Sequence, residues 1–154
     1  MADFTSWFQN NITAIGVIGS LWIGIWTGQQ ALEKGKRESL EKAAERHDEL
    51  WTRMAEEESL HRILKLEVDL PAKPPTIEEE EFVNLVIVLY LTTWRNAKTG
   101  GIITLKELAL DAGGFFSLPL PHAVWEKTKL TRNPKFVRFI ARALERHGRL
   151  QADG

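Results

Sequence analysis

The longest apolar pattern of the chain lies near its beginning. Residues 4–32 contain no charged side chain over 29 positions. Their densest part, residues 12–27, would form roughly 24 Å of helix at about 1.5 Å per residue, and one further turn at each end exceeds the ~30 Å hydrocarbon thickness of a bilayer. Trp7 and Trp26 lie near the ends of this run, where aromatic rings favour the membrane interface. We therefore expect an N-terminal flank and transmembrane helix in residues 1–32.

Basic residues flank this run on one side only. Lys34, Lys36 and Arg37 follow it, whereas Asp3 is the only charged residue that precedes it. A signal peptide would need basic residues ahead of its apolar part, so a single membrane span is favoured, with a buried or peripheral helix as the alternative. Because positive flanks stay inside, we expect the N-terminus outside and the body in the cytoplasm of a bacterial inner membrane.

A stripe of small residues crosses the same run. Gly16, Ser20, Gly24 and Gly28 recur at every fourth position, which places them on one helix face. Helices in lipid gain no hydrophobic drive to associate, and small residues let two backbones approach closely. We expect this face to contact a second copy of the chain or another membrane subunit. The alternative is a glycine-rich span without a partner.

A second amphipathic pattern follows the membrane run. Residues 33–70 keep a helical period, with Leu40, Leu50 and Leu64 near one face and charges around them. This pattern predicts a long amphipathic helix, which we call the stalk. Three prolines in residues 71–76 cannot continue a helix, so they form a predicted linker.

Capping signals predict where the helices of the body begin. Thr76 with Glu79 and Thr104 with Glu107 have the spacing of a capping box, in which each side chain satisfies a free backbone N–H of the other residue. Asn133 followed by a proline is a further N-terminal signal. These signals predict helices over most of the body.

Glycines predict where the helices of the body end. Gly100 and Gly101 should stop the first helix, and Gly113 and Gly114 should stop a short helix over residues 105–112. Gly148 should close the last helix. The predicted helical domain then covers residues 77–148, and residues 149–154 form a flexible tail. The predicted core comprises residues 82–91, Phe115, Phe116, Trp125, Phe136, Phe139 and Ile140.

These patterns together predict an all-α protein with a single N-terminal transmembrane helix, a long amphipathic stalk helix and a small helical cytoplasmic domain. The chain of 154 residues is 44% hydrophobic and 27% charged, with a formal net charge of -1. That balance argues against bulk nucleic-acid binding, and we expect no specific DNA binding. Cysteine is absent, which excludes disulfides, thiolate metal sites and cysteine nucleophiles.

Three stretches carry a resemblance to a known group of proteins. They are "NNITAIGVIGSLWIGIW", "HDELWTRM" and "FFSLPLPHAVWEKTKLTRNPKFVRFI". The chain resembles a loose group of small bacterial proteins of unknown function that have one N-terminal membrane helix and a helical cytoplasmic domain. The resemblance implies this layout and no catalytic residue.

The sequence contains no recognisable catalytic or metal-binding motif. His47, His61, His122 and His147 are scattered and make no pair with the spacing of metal ligands. A phosphate-binding loop, a dinucleotide fingerprint and a nucleophile elbow are also missing from the sequence. We therefore predict no enzyme activity, no cofactor and no metal.

The basic C-terminal part is the one feature that suggests a ligand. The candidate anion-binding residues are Lys127, Lys129, Arg132, Lys135, Arg138, Arg142 and Arg146. They would suit anionic lipid headgroups, a nucleotide or RNA, or an acidic partner. The alternative is a solvated helix face that balances acidic residues elsewhere in the chain.

Two functions are compatible with these patterns. The first is a non-enzymatic, membrane-anchored assembly or accessory subunit that acts through helix association in the inner membrane. The second is a membrane signalling or anti-phage effector whose cytoplasmic domain senses an anionic ligand such as a cyclic nucleotide. Some CRISPR-associated and other anti-phage membrane effectors share this layout, which is an analogy of architecture only.

Overall fold

The computed structural model describes residues 34–100 and 103–152, and all regular elements within them are helical. The α-helices are α1 (Lys34–Glu56), α2 (Ile77–Lys98), α3 (Leu105–Ser117), α4 (Pro119–Thr128) and α5 (Pro134–Ala152). Two 3-10 helices, Glu58–Leu64 and Lys129–Thr131, connect them. The all-α prediction is confirmed for this part of the chain.

The membrane prediction falls outside the part of the chain that the structure describes. Among the helices of residues 34–100 and 103–152, none combines the length and the apolar character that a membrane crossing requires. Residues 1–32, with Gly16, Ser20, Gly24 and Gly28, lie outside the described residues.

The stalk helix is shorter than predicted. α1 ends at Glu56, and the chain turns into a 3-10 helix instead of continuing to residue 70. Leu60, Ile63 and Leu64 of that 3-10 helix are fully buried in the core, beside Met54 of α1. Burial of each such side chain stabilises the fold by about 1.5–3 kcal/mol. A straight helix that left these side chains in solvent would lack that stabilisation. The prediction of one helix over residues 33–70 is therefore corrected for residues 57–70.

Both predicted capping boxes are present. Thr76 Oγ1 accepts from the Glu79 backbone N–H at 3.2 Å, and the Glu79 carboxylate accepts from the Thr76 N–H at 2.8 Å. Thr104 and Glu107 repeat this arrangement at 3.2 and 2.9 Å. The predicted end of α2 is also confirmed, because Gly100 has a φ of 81°, a conformation that glycine adopts without steric cost.

The predicted stop at Gly113 and Gly114 is wrong, because α3 continues through both residues to Ser117. A Cβ atom on Gly113 would lie 2.7 Å from the carbonyl oxygen of Ala143 on α5. This glycine serves helix packing rather than helix termination, since its bare Cα lets α5 approach α3 closely. Glycine is thus the sequence signal both for the end of a helix and for a close contact between two helices.

The last helix begins as predicted and ends later than predicted. Asn133 Oδ1 accepts from the backbone N–H groups of Lys135 and Phe136, at 2.9 and 3.4 Å. α5 then runs through Gly148 to Ala152, so the predicted tail over residues 149–154 is corrected for its first four residues. An isolated glycine costs only about 1 kcal/mol within a helix, which does not suffice to end one.

An aromatic chain forms the centre of the core. Phe116 lies 5.4 Å from Tyr90 and 5.2 Å from Trp125 between ring centroids, and Phe136 lies 5.9 Å from Trp125 and 5.7 Å from Trp94. These contacts connect α2, α3, α4 and α5. The predicted core residues Phe115, Phe116, Trp125, Phe136 and Ile140 are buried, and Phe139 is partly buried.

The predicted apolar segment over residues 82–91 is buried on one side only. Phe82, Val83 and Ile87 lie in the core, whereas Leu85 is 47% and Val88 45% exposed. α2 therefore carries apolar side chains on a face that the body leaves uncovered.

Candidate functional site

Four of the seven predicted anion-binding residues form an exposed row on α5. Lys135, Arg138, Arg142 and Arg146 are all exposed, and at about 100° per residue they fall within an arc of roughly 80°. Within the described part of the chain, none of them forms an ion pair. We call these four residues the α5 basic row.

The buried apolar residues of α5 explain why the basic row faces solvent. Phe136, Ile140 and Ala143 are buried and face α3, with their centre roughly 130° around the helix from the basic row. Packing of these apolar residues leaves the charged ones outside. The row extends over roughly 16 Å, so its cations are spread along a line and suit an extended anionic surface.

The other three predicted residues are engaged within the protein. Lys127 Nζ donates to both carboxylate oxygens of Glu80, at 2.7 and 2.9 Å, and connects α4 to α2. Lys129 Nζ lies 2.5 Å from the Glu126 carboxylate. Arg132 donates to the Asn84 side chain at 2.5 Å. Lys127, Lys129 and Arg132 therefore do not join the α5 basic row.

A buried titratable pair lies between α2 and α3. The Tyr90 hydroxyl donates to Asp111 Oδ2 at 2.8 Å, and both residues are almost fully buried. Burial raises the pKa of Asp111 to about 7, although the hydrogen bond from Tyr90 opposes that rise. Burial and the nearby Asp111 carboxyl also raise the pKa of Tyr90 well above its ordinary value. Asp111 Oδ1 is buried and accepts no hydrogen bond from any described residue.

Sequence reasoning missed this pair, although one signal was present. Asp111 lies among Leu108, Ala112 and Phe115 on the apolar side of α3. An acidic residue at a buried position of an amphipathic helix usually has a polar partner. The identity of that partner, Tyr90 on α2, required the packing of the two helices.

A buried ion pair joins the two elements on either side of the proline linker, the 3-10 helix Glu58–Leu64 and α2. Arg62 donates to both carboxylate oxygens of Glu79, at 2.8 and 2.6 Å. Burial alone would raise the pKa of Glu79, but hydrogen bonds from Arg62 and Thr76 outweigh it and hold the pKa below its ordinary value. The same contact with Glu79 raises the pKa of Arg62. Only the capping role of Glu79 could be predicted from the sequence.

The described residues offer no set of metal ligands. Within residues 34–100 and 103–152, no three or more histidine, aspartate or glutamate side chains are arranged so that they could hold a metal ion. His122 Nδ1 lies 3.1 Å from the Phe116 carbonyl oxygen, and His147 Nε2 lies 3.1 Å from the Gln151 side chain. These two histidines therefore have local partners.

Comparisons with protein-family models, with curated proteins and with solved structures find no match to this chain.

Proposed function

We propose that this protein is a non-enzymatic, membrane-anchored assembly or accessory subunit. Its segment 1–32 crosses the bacterial inner membrane once, with the N-terminus outside and the helical body in the cytoplasm. The observation that carries this proposal is the uncharged window over residues 4–32, which ends two residues before α1 begins at Lys34. A membrane helix there would lead directly into the described body.

Assembly is proposed to occur through the small-residue stripe of the membrane segment. Gly16, Ser20, Gly24 and Gly28 would allow close backbone approach to a second copy or to another membrane subunit. The basic residues that follow, Lys34 among them, support the proposed orientation.

The double variant Gly24→Leu, Gly28→Leu tests this proposal. Leucine keeps the segment apolar and fills the bare face, so crosslinking between chains in membranes should weaken while membrane fractionation stays unchanged. Ile18→Leu and Ile25→Leu are matched controls on other faces. Crosslinking of the double variant at the wild-type level would refute assembly through this stripe.

A second function is supported by the α5 basic row. Four exposed cations without acidic partners in the described residues favour an anionic ligand, such as lipid headgroups or a cyclic nucleotide. A signalling or anti-phage effector would use such a row to sense that ligand.

Charge reversal of the row tests the second function. With the full chain inserted in phosphatidylcholine nanodiscs, the triple variant Arg138→Glu, Arg142→Glu, Arg146→Glu should lose binding to a fluorescent cyclic nucleotide or to vesicles rich in phosphatidylglycerol. The exposed residues Lys65 and Lys106, both changed to Glu, provide the control. Absence of binding by the wild type would refute this second function.

A further inference from the structure

A groove of about 570 Å³ runs between α1 and α2. Its apolar lining consists of Leu50, Leu85, Val88 and Leu89, and its polar lining consists of Lys42, Arg46, Glu49, Arg53 and Thr92. The two helices thus form an apolar floor with a charged rim. None of the lining residues belongs to the α5 basic row.

The floor of the groove is suited to an apolar surface. Leu85 is 47% exposed and Val88 45% exposed, and they lie three residues apart on one face of α2. The Thr92 hydroxyl donates to the Val88 carbonyl oxygen at 2.9 Å, so it is satisfied within its own helix. Covering this floor would remove two large apolar side chains from water and would leave no hydroxyl unpaired.

The rim of the groove is positively charged at the end formed by Lys42 and Arg46, whereas at the other end carboxylates including Glu78 and Glu81 act on Arg53. Arg53 is paired with Glu57 at 2.8 Å, whereas Lys42 and Arg46 form no ion pair with any described residue. Glu49 is the single acidic residue among the lining residues. An occupant with acidic side chains beside an apolar strip would complement this rim.

We propose that this groove docks an acidic amphipathic helix of a partner protein. The segment of α1 from Lys42 to Arg53 is roughly 16 Å long, or three helical turns, which matches the apolar i, i+3, i+4, i+7 strip of one bound helix. That strip would cover Leu85 and Val88, and the acidic residues would face Lys42 and Arg46. The inference rests on the accessory-subunit function proposed above and names the class of its partner.

Charge complementarity favours this occupant over two others. A second copy placed face to face on the groove would bring two rims against each other in which cations outnumber carboxylates three to one. The segment 4–32 of the same chain carries no acidic residue that would face the rim. A partner with its own carboxylates meets neither difficulty.

The test uses the full chain in nanodiscs and two synthetic peptides. One is a fluorescent helical peptide with leucines at i, i+3, i+4 and i+7 flanked by glutamates, and the other has lysines in place of the glutamates. The wild type should bind the acidic peptide more tightly.

Val88→Glu and the double variant Lys42→Glu, Arg46→Glu should each weaken that binding at least about tenfold in Kd. The double variant should also come to prefer the lysine peptide.

Leu130→Glu is the matched control, because Leu130 is 91% exposed and lies outside the groove. It should leave the affinity unchanged, and circular dichroism should show the same helix content in all variants. Equal affinity for both peptides, no binding by the wild type, or no effect of Val88→Glu would overturn the proposal.

Two further measurements separate this proposal from the other assignments. An oligomer of the wild type that Val88→Glu dissociates and the acidic peptide leaves intact would assign the groove to a second copy and overturn the proposal. Membrane fractionation and crosslinking report the proposed function, and both should be unchanged in Val88→Glu. Loss of peptide binding with intact anchoring therefore concerns the groove alone.

Discussion

Arg62 and Glu79 form a bidentate ion pair, with Nε donating to Oε1 at 2.8 Å and Nη2 donating to Oε2 at 2.6 Å. The guanidinium also donates to the carbonyl oxygens of Lys73 and Pro74, at 2.6 and 2.9 Å. The pair therefore joins the 3-10 helix, the proline linker and the first turn of α2. One arginine therefore holds the end of the linker against the start of α2 through four hydrogen bonds.

Removal of this arginine should destabilise the body strongly. Arg62→Ala leaves the buried carboxylate of Glu79 without its partner, which costs about 3–5 kcal/mol in comparable buried pairs. Urea unfolding of the full chain in detergent, followed by circular dichroism, measures the free energy of unfolding. The control is Arg53→Ala, whose ion pair with Glu57 leaves the two side chains 38% and 41% exposed and should contribute less than about 1 kcal/mol. Equal losses in the two variants would contradict this account.

Acid should release the same contact. The pKa of Glu79 is below its ordinary value in the folded protein, so the ionised carboxylate stabilises the fold at pH values above its unfolded pKa. That contribution is lost as the pH falls through the folded pKa. The free energy of unfolding, measured between pH 5 and about 3, should therefore fall more steeply in the wild type than in Glu79→Gln. Parallel profiles would argue against the pair as the cause.

The Asp111 carboxyl should produce the opposite trend at higher pH. Its folded pKa of about 7 exceeds the ordinary value of 3.8, so the fold favours its protonated form. The protonated carboxyl makes its full contribution to the free energy of unfolding below pH 3.8. That contribution is lost as the pH rises to about 7, and the free energy of unfolding falls by up to about 4 kcal/mol. Asp111→Asn should abolish this decline while its side chain still accepts from Tyr90. A wild-type profile that is flat between pH 5 and 7 would refute the assignment.

The glycine at the contact between α3 and α5 should tolerate no side chain. Gly113→Ala places a Cβ atom 2.7 Å from the Ala143 carbonyl oxygen, and such overpacking costs about 1–3 kcal/mol. Gly148→Ala on α5 is the matched control, because nothing lies within 4 Å of its added Cβ atom. It should raise the free energy of unfolding by up to about 1 kcal/mol. The idea fails if both substitutions stabilise the protein.

The chain suits a cysteine-labelling test of topology because it contains no native cysteine. In intact cells, Asp3→Cys should react with a membrane-impermeant maleimide. Ser59→Cys, at an exposed position of the 3-10 helix, should react only after the cells are permeabilised. The reverse labelling pattern would place the body outside and refute the proposed orientation.

Local signals predicted the beginnings of helices well. A capping box involves residues three positions apart, so Thr76 with Glu79 and Thr104 with Glu107 could be recognised without knowledge of the fold. The glycine signals were less reliable, because glycine ends a helix at Gly100 but allows close packing at Gly113. A single sequence does not distinguish these two uses.

The candidate site residues also differ in how far their placement could be predicted from the sequence. The exposed position of Arg138, Arg142 and Arg146 follows from helical spacing alone, because the apolar residues of the same helix face the core. Lys127 belongs to the same basic segment, yet it pairs with Glu80 across 47 residues of sequence. Charge counting along the chain therefore overestimated the number of cations available to a ligand.

The sequence by itself determined the helical class, the capped starts of α2, α3 and α5, and the amphipathic face of α5, because each depends on residues within a few positions of one another. The tertiary structure alone decided where α1 ends and that Leu85 and Val88 border a groove. It also decided the partner of Asp111 and the partner of Glu79. The physical reason is that buried side chains must satisfy their polar atoms and fill space against distant segments. Chain folding brings Arg62 to Glu79 and Tyr90 to Asp111, and no pattern confined to one helix specifies those contacts.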